Sequence, residues 1–450
     1  MGVVSILTHS FTDGYNREFG RVFGGGLERY ILDLCSVIRE LGHNPEVHQL
    51  SYYEAFQTRT EQIDVFGYAY DMDDVPEAFA RMAAAARGPV IYASCLWQPI
   101  SYKPGSLGIC HGINWDRPGL PLETKQQVAE HIQLALDGLV RIVSVDSHFQ
   151  TFCRAACTFD DPQQVVLIPN AVDTSYFTPA PPRPRFGQEQ EAEWLSAWKE
   201  DLASQEEAGV AISGWSAKEP VLLDNADNSD QANEIADSAA SIHSMALPSQ
   251  LARPLRILYP RRISMERGII PMMLAADRLL GAYPDLEIEF AGELVEGSTV
   301  GRVFRYWHRT HPHQDRILQR TYDFRDIREA YHQADIAVIP TVFSEGTSYA
   351  CLEAMSCGIP VVASNVGGLN DLIQDGFNGL LVPPGDEALT AALVRLLEDR
   401  AERERLGIYA RETAVAYDLS GWRRKWRSVL ETFLADAGLR ERGYGDDGHT

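Results

Sequence analysis

The chain has 450 residues, 45% of them hydrophobic, and a formal net charge of −23. That length exceeds what one ordinary core fills, so two domains are expected, and the acidity excludes nucleic acid as a partner because a polyanion would be repelled. No run approaches the ~20 apolar residues of a bilayer span, and the opening "MGVVSILTHSF" lacks the basic and long apolar regions of a secretory signal, so a soluble, cytoplasmic protein is expected.

The first 170 residues alternate in period. "VVSILTH" reads as a buried strand, followed by the glycine-rich turn "FGGG" and a helix over Leu27–Leu41, whose Leu27, Ile31, Leu34, Ile38 and Leu41 share one face. "NPEVHQL", "IDVFGYA", "PVIYAS" and "SLGICHG" are further short apolar runs. A helix from about Pro121 to Leu136, the strand "VRIVSV", a helix over Ser147–Ala156 and the strand "QVVLIPN" complete this half. The alternation restarts at "PLRILYP" (Pro254–Pro260), with a helix over Gly268–Leu280, then "DLEIEFAG", a helix near Asp326–Gln333, "DIAVIPT", "IPVVAS" and "NGLLVPP", and helices to the end. Strands alternating with helices predict parallel sheets, here two doubly wound Rossmann-like halves that bind ligands at strand carboxyl ends.

Between the halves, residues 183–253 hold 13 acidic against 5 basic residues, a contribution of −8. The segment is rich in Ala, Ser, Gln and Asn and shows no strand pattern, so a partly disordered surface insertion is expected; Trp194, Trp198 and Trp215 could seed a short helix within it. Seven cysteines (35, 95, 110, 153, 157, 351 and 357) sit in apolar surroundings and read as small buried hydrophobes of a reducing compartment. Cys153 and Cys157 stand one helical turn apart, but no second pair or nearby histidine completes a metal site.

The stretch "FSEGTSYACLEAMSCGIPVV" (Phe343–Val362) places Glu345 and Glu353 eight positions apart in an otherwise apolar and hydroxyl-bearing run. Its helix should begin near Thr347 or Ser348, both good caps, and stop before "CGIP". Glu345 then precedes a helix N-terminus, a setting suited to phosphate, and Glu353 lies about one and a half turns inside. One reading is a nucleotide-sugar holder, with a carboxylate for a ribose diol and another for sugar hydroxyls. The other is a pair of carboxylates favouring the helix dipole. Spacing alone leaves both open.

"EGTSYACLEAMSCGIPVVASNVGG" resembles the E-x7-E region of the retaining glycosyltransferases of family 4, in the subset reading EGTS rather than EGFG. Further segments occur in the family's order along nearly the whole chain, apart from the acidic segment and the C-terminal tail. The resemblance implies that Glu353 binds the donor ribose and Glu345 the transferred sugar. "YPRRISMERG" is similar to the family's strand-end pair of cations, which implies that Arg262 and Arg267 hold the diphosphate. Arg261 stands where the family has glycine, and Arg267 where it has lysine. Such cations would neutralise charge building on the leaving diphosphate, Arg267 as a rigid fork rather than a point charge. "GGGLER" resembles the family's GG-x-E turn, which implies that Gly25 and Gly26 let backbone approach the diphosphate. "ICHG" places His111 where the family has a histidine facing the transferred sugar, and "IPNAVD" resembles the segment closing the first domain, with Asn170 and Asp173 shaping the hinge side of the cleft. Tyr322 is expected beside the base, while Gly346, Thr347 and Ser348 line the donor, the two hydroxyls adding contacts to phosphate or sugar. Arg302, Arg305, Arg309, Arg316, Arg320, Arg325 and Arg328 crowd one stretch with Tyr306 and Trp307. Against the net charge, a solvated helix is the better reading of these than an anion-binding face.

The expected architecture is therefore GT-B, two Rossmann-like domains facing across a cleft. Residues 1–177 would form the acceptor domain, 178–253 the insertion, 254–418 the donor-nucleotide domain, and 419–450 a helix crossing back (around Ser420–Ala437) plus tail. The resemblance implies a retaining hexosyltransferase of polysaccharide or glycoconjugate biosynthesis with no cofactor and no metal. Its donor would be a UDP-sugar, or else a GDP-sugar, and its acceptor a glycan, lipid-linked or small sugar-containing molecule, with at most weak peripheral membrane contact. Rival readings are a sugar phosphorylase or nucleotide-sugar epimerase on the same fold, and a non-catalytic nucleotide-sugar-binding protein.

Overall fold

Among the described residues of the computed structural model, fourteen of the sixteen strands fall into two sheets, which supply the floor for the loops of interest. Described are residues 2–14, 17–71, 74–113, 115, 119–181, 253–294, 297–324 and 326–444; the insertion expected at 178–253, its three tryptophans, and Arg325 fall wholly or largely outside them.

In chain order the first half runs β1 (Val3–Thr8), a small ribbon β2 (Thr12–Asp13) and β3 (Glu18–Val22), α1 (Gly26–Glu40), β4 (Asn44–Ser51), β5 (Phe56–Thr60) and β6 (Ile63–Ala69). It continues through α2 (Val75–Ala85), β7 (Val90–Tyr92), β8 (Leu107–Cys110), α3 (Leu122–Gly138), β9 (Arg141–Ser144), α4 (Ser147–Ala156) and β10 (Val165–Leu167). The sheet order is β10-β9-β8-β7-β1-β4-β6-β5, parallel throughout except that the edge strand β5 pairs antiparallel with β6. The near-continuous apolar run of β1, buried from Val4 to Thr8, reflects a central strand covered on both faces.

The second half runs β11 (Leu255–Tyr259), α5 (Ile269–Ala282), β12 (Leu286–Ala291), α6 (Thr299–Thr310), β13 (Ile317–Arg320), α7 (Ile327–Gln333), β14 (Ile336–Ile339) and α8 (Tyr349–Ser356). Then come β15 (Val361–Ser364), a short turn of helix α9 (Leu369–Leu372), β16 (Leu380–Val382), α10 (Asp386–Glu398), α11 (Arg400–Val415) and α12 (Leu419–Tyr444). The order β13-β12-β11-β14-β15-β16 is all parallel. Strand order reverses beside β11 in this sheet and beside β1 in the other, so the crevices at their carboxyl ends are the places where such sheets take ligands.

Besides β13 and the short α9, three elements of the first half go beyond the alternation read from sequence. The ribbon β2–β3 lies between the first strand and the glycine turn, β5 adds an antiparallel edge, and α2 fills the β6–β7 connection with Ala78, Phe79 and Met82 buried. The helix α12 returns to the first sheet's core: Trp422, Trp426, Leu430 and Phe433 pack with Tyr30, Ile31 and Leu34 of α1, and the Trp426 indole donates to the Tyr30 hydroxyl at 2.8 Å. The described residues up to Pro179 and from Leu255 onward cluster as one compact unit. All seven cysteines are free thiols. Among the described residues no helix is long and apolar enough to cross a membrane.

Candidate functional site

Two loops at the switch point of the second sheet carry the polar groups. Pro260 ends β11, and the loop to Gly268 holds Arg261, Arg262 and Arg267. The Tyr259 hydroxyl lies 3.1 Å from the carbonyl oxygens of both Arg262 and Arg267, which folds this loop over the strand end. Gly268 has φ 77°, and a Cβ there would lie 1.8 Å from the Pro340 carbonyl oxygen, so only glycine lets the two loops meet. From Pro340 the second loop runs to Ser348, the residue before α8, whose first turn has no side-chain cap.

Glu345 joins the loops. Its Oε2 accepts from Arg261 Nη2 at 2.6 Å, from Arg267 Nη1 and from the Thr341 hydroxyl at 2.9 Å. Burial pushes the Glu345 carboxyl up, but Arg261 and Arg267 outweigh it and hold the pKa below the usual carboxylate range. Arg261 is itself buried and sends its other terminal nitrogen to Ser348 Oγ at 2.6 Å. Arg262 turns the opposite way, its guanidinium carbon 4.5 Å from the centre of the Phe23 ring. Its Nε is buried and has no hydrogen-bond partner among the described residues.

Glu353, in the second turn of α8, is held by both halves. Arg29 of α1 donates to Oε1, and the Tyr331 hydroxyl donates to Oε2 at 2.9 Å. The Arg29 guanidinium carbon stands 5.2 Å from the Tyr349 ring centre and 5.6 Å from that of Phe177.

The facing wall belongs to the first sheet. Gly25 precedes α1, and Glu28 folds back over it so closely that a Cβ on Gly25 would lie 2.1 Å from Glu28 Oε2. Glu28 accepts from the Ser10 hydroxyl at 2.5 Å, and burial raises its pKa. A Cβ on Gly26 would lie 3.2 Å from the Tyr349 ring. His9 opens onto the cavity, with its pKa lowered to about 4 by desolvation and by Arg262. His111 follows β8; desolvation and the neighbouring His9 lower its pKa to about 3. Its Nε2 is buried without a partner among the described residues, and its ring meets Tyr30 edge-on at 4.8 Å.

These groups enclose a cavity of about 570 Å³, lined by Gly25, Gly26, His111, Arg262, Arg267, Tyr322, Glu345, Gly346, Thr347, Ser348 and Glu353, the residues singled out from sequence. Two of them are used differently from the expectation. The Thr347 hydroxyl, expected to contact a ligand, donates to the Val145 carbonyl at 2.8 Å and accepts the Asn170 backbone N–H at 2.7 Å. It tethers the loop to the first half because Gly346 brings the two backbones together: a Cβ there would lie 3.1 Å from the His111 carbonyl oxygen. The Ser348 hydroxyl is taken by Arg261. Tyr322 reaches the cavity beside β13, its hydroxyl donating to Glu289 at 2.6 Å. Asn170 also donates to the Thr347 carbonyl at 2.5 Å, and Asp173 caps the turn at Ser175 and Tyr176. In the arginine-rich stretch, Arg302, Arg316 and Arg320 hydrogen-bond carbonyls or hydroxyls of the same half, and Arg328 reaches the Tyr176 carbonyl of the first half.

Sequence reading gave no role to Arg29, His9, Glu28, Thr341, Tyr331 or Tyr349, which also shape the site. Only Arg29 and Glu28 carried a signal, since "GGGLER" contains both.

Residues 249–413 match the family model described as Glycosyl transferases group 1. Glycogen synthase of Mycobacterium tuberculosis is 31% identical over 189 residues, which are 40% of this chain and 43% of that protein. The chain thus spans less than half the length of the curated relatives it matches. Sucrose-phosphate synthase from Thermosynechococcus elongatus superposes with a TM-score of 0.65 at 16% identity, covering 97% of this chain and 100% of the other. The Anabaena protein HepE in complex with UDP-glucose superposes with a TM-score of 0.60 at 15% identity, covering 96% of this chain and 100% of the other. The chain has the GT-B fold, and its second half carries the sequence match to the group 1 glycosyl transferases.

Proposed function

We propose that the chain is a retaining glycosyltransferase that moves a hexosyl group from a nucleoside-diphosphate sugar, a UDP-sugar before a GDP-sugar, to a sugar-containing acceptor. The observation that carries this reading is the meeting of Arg262, Arg267, Glu345 and the uncapped start of α8 at one switch point, with Glu353 one turn and a half further on. Free N–H groups and the dipole of α8 favour the diphosphate, and the guanidiniums of Arg262 and Arg267 stabilise the charge that develops on it as the glycosidic bond breaks. In this reading Glu353 takes the ribose diol, Tyr322 flanks the base, and Glu345 takes a hydroxyl of the transferred sugar. His111, with a pKa of about 3, is a neutral imidazole at physiological pH. Its task is a hydrogen bond to a sugar hydroxyl rather than proton transfer, which works best with a pKa near the working pH.

No side chain is assigned as a nucleophile. A front-face route, in which the acceptor hydroxyl attacks on the side that the diphosphate leaves, needs only leaving-group stabilisation and a positioned acceptor. The arginines supply that stabilisation without a metal. The UDP-glucose bound by HepE, on the same fold, supports the choice of a uridine donor.

The test is a thermal-shift panel of UDP-, GDP-, ADP- and dTDP-sugars, followed by transfer and hydrolysis assays with the stabilising donor. Glu353→Ala should remove donor binding, and Arg262→Ala should lower turnover by about 100-fold or more, the loss typical of one electrostatic stabiliser. A protein that binds none of the four, or an Arg262→Ala variant with unchanged turnover, overturns the reading.

A further inference from the structure

Arg261 occupies the place where glycine is usual in the family that this segment resembles, yet it is one of the most thoroughly engaged side chains of the site. It is buried and lines the cavity. One terminal nitrogen donates to Glu345 Oε2 and the other to Ser348 Oγ, both at 2.6 Å. Two of its five N–H donors are thereby fixed on protein groups, and they hold the guanidinium between Glu345 and the start of α8. Its neighbour Arg262 keeps a buried Nε without a partner among the described residues, and so is the better phosphate donor.

The bonds to Glu345 are lopsided. Arg261, Arg267 and Thr341 all converge on Oε2. No hydrogen bond to Oε1 is found among the described residues, so this is the oxygen left to accept a ligand hydroxyl. A carboxylate bound through one oxygen by two guanidiniums and a hydroxyl cannot rotate freely, and its other oxygen has a fixed position. Because Ser348 is the residue before α8, the same guanidinium also ties that carboxylate to the helix start where the diphosphate is expected.

We infer that Arg261 is a positioning residue for donor-sugar recognition: it aims Glu345 Oε1 at the transferred sugar and acts through Glu345 rather than on the phosphates. The inference rests on the donor site proposed above, with Glu345 as the sugar-facing carboxylate. It gives the extra arginine a task distinct from that of Arg262, and it makes the sugar rather than the nucleotide the part of the donor that depends on Arg261.

Calorimetry with UDP and UDP-glucose tests this without turnover, since the ratio of the two dissociation constants reports the sugar's share of binding. The wild-type protein should prefer UDP-glucose by about tenfold or more, the worth of one hydrogen bond to a charged group. Arg261→Met and Glu345→Gln should each reduce that preference to within about twofold, and the double variant should show no further loss, because residues acting through one contact are not additive. UDP affinity itself should change by less than about threefold in Arg261→Met but fall by tenfold or more in Arg262→Met, which removes a phosphate contact. Arg261→Lys, whose ammonium serves a single partner well, should retain part of the preference. If Arg261→Met unfolds, Arg261→Gln, which can still donate to Ser348 but has no charge for Glu345, takes its place in the cycle with the same expected loss. The inference is overturned if the preference survives in Arg261→Met, if the double variant loses more than either single one, or if the wild-type protein binds UDP without preferring UDP-glucose. A wild-type protein that binds neither UDP nor GDP defeats the proposed function itself.

Discussion

The ion pair between Arg29 and Glu353 couples the two halves of the molecule at the residue proposed to hold the ribose, and Arg29→Met isolates its contribution. The side chains are 17% and 7% exposed, so the pair is buried, and removing one partner of such a pair typically costs about 3–5 kcal/mol. Two features place this case at the low end, about 3 kcal/mol: the Tyr331 hydroxyl still donates to Oε2, and methionine keeps the apolar contact with Tyr349 and Phe177. Glu353→Gln should cost less, because an amide still accepts from Arg29 and leaves no uncompensated carboxylate. In the double variant the two costs should fall short of adding by at least about 1 kcal/mol, the signature of a direct contact.

The effect on the donor has a definite sign. A carboxylate has about four lone-pair positions, of which Arg29 and Tyr331 use two, so a ribose diol can bind beside them. Arg29 then orients Glu353 for the ribose, and Arg29→Met should weaken UDP binding by roughly tenfold, or 1.4 kcal/mol. Urea unfolding of the four proteins and UDP titration of the folded ones measure both quantities. UDP binding that is unchanged or tighter in Arg29→Met would refute the reasoning, since it would mean that Arg29 occupies the place of the ribose.

Asp146 caps α4, accepting the Phe149 N–H at 2.8 Å, while its Oδ2 is buried with no partner among the described residues. Desolvation first, and then Asp371, push its pKa from 3.8 up to about 7. The native state therefore binds this proton more tightly than the unfolded state, and stability falls as pH rises from about 4 to 7. Asp146→Asn keeps the cap and escapes the penalty; its advantage should be near zero below pH 4 and on the order of 4 kcal/mol above pH 7, and equal melting shifts at pH 4 and pH 8 would exclude the effect. Gly268→Ala should cost about 1–2 kcal/mol from the left-handed backbone alone, and its Cβ would displace the Pro340 carbonyl and with it the loop carrying Glu345, so melting temperature and UDP-sugar binding should fall together; retention of either shows that the loops adjust. Trp426→Ala should cost about 3–5 kcal/mol in urea unfolding, and Trp426→Phe about 1–2 kcal/mol, since the phenyl fills most of the space but leaves the Tyr30 hydroxyl without its donor. A phenylalanine variant as unstable as the alanine one would show that the hydrogen bond, not the packing, dominates.

What could be read from sequence follows from how local each signal is. Leu27, Ile31, Leu34 and Ile38 mark α1 because helical spacing is written within fifteen residues, and the apolar runs of β11 and β14 mark buried parallel strands for the same reason. Gly25, Arg262, Arg267, Glu345 and Glu353 were singled out because the segments around them resemble the family's motifs in the family's order; their places near strand ends alone left their roles open. Their partners were not legible. Arg29 and Glu353 are 324 residues apart, and nothing in "GGGLER" says that the arginine spans the cleft. The hydroxyl of Thr347 is spent on Val145 and Asn170, a use visible only once the halves close on Gly346. Helix α2 escaped because its buried face is just Ala78, Phe79 and Met82, a pattern that an alanine-rich segment barely displays. Strand β5 escaped because an edge strand with one covered face shows little apolar content.

The net charge of −23 describes the whole molecule and says little about the cleft. On the second half's wall, three guanidiniums, Arg261, Arg262 and Arg267, stand among the carboxylates of Glu293, Asp323, Glu345 and Glu353, so the wall has no net positive charge and the placement of each group decides what it meets. On the first half's wall, His9 and His111 are neutral at physiological pH, and burial raises the pKa of Glu28. Charge interactions are several times stronger there than at a solvated surface, so the local arrangement and not the molecular total decides what binds. In the proposed reading the phosphates lie against Arg262 and Arg267, and hydroxyl-bearing groups lie against the two neutral histidines. That polarity is what transfer from a diphosphate to a sugar hydroxyl requires, and reversing it is a more severe test than removing any one contact. Arg262→Glu should abolish UDP binding while leaving the melting transition within a few degrees, because Arg262 has no ion-pair partner within 4 Å among the described residues. A charge-reversed protein that still binds UDP would mean that the phosphates lie elsewhere.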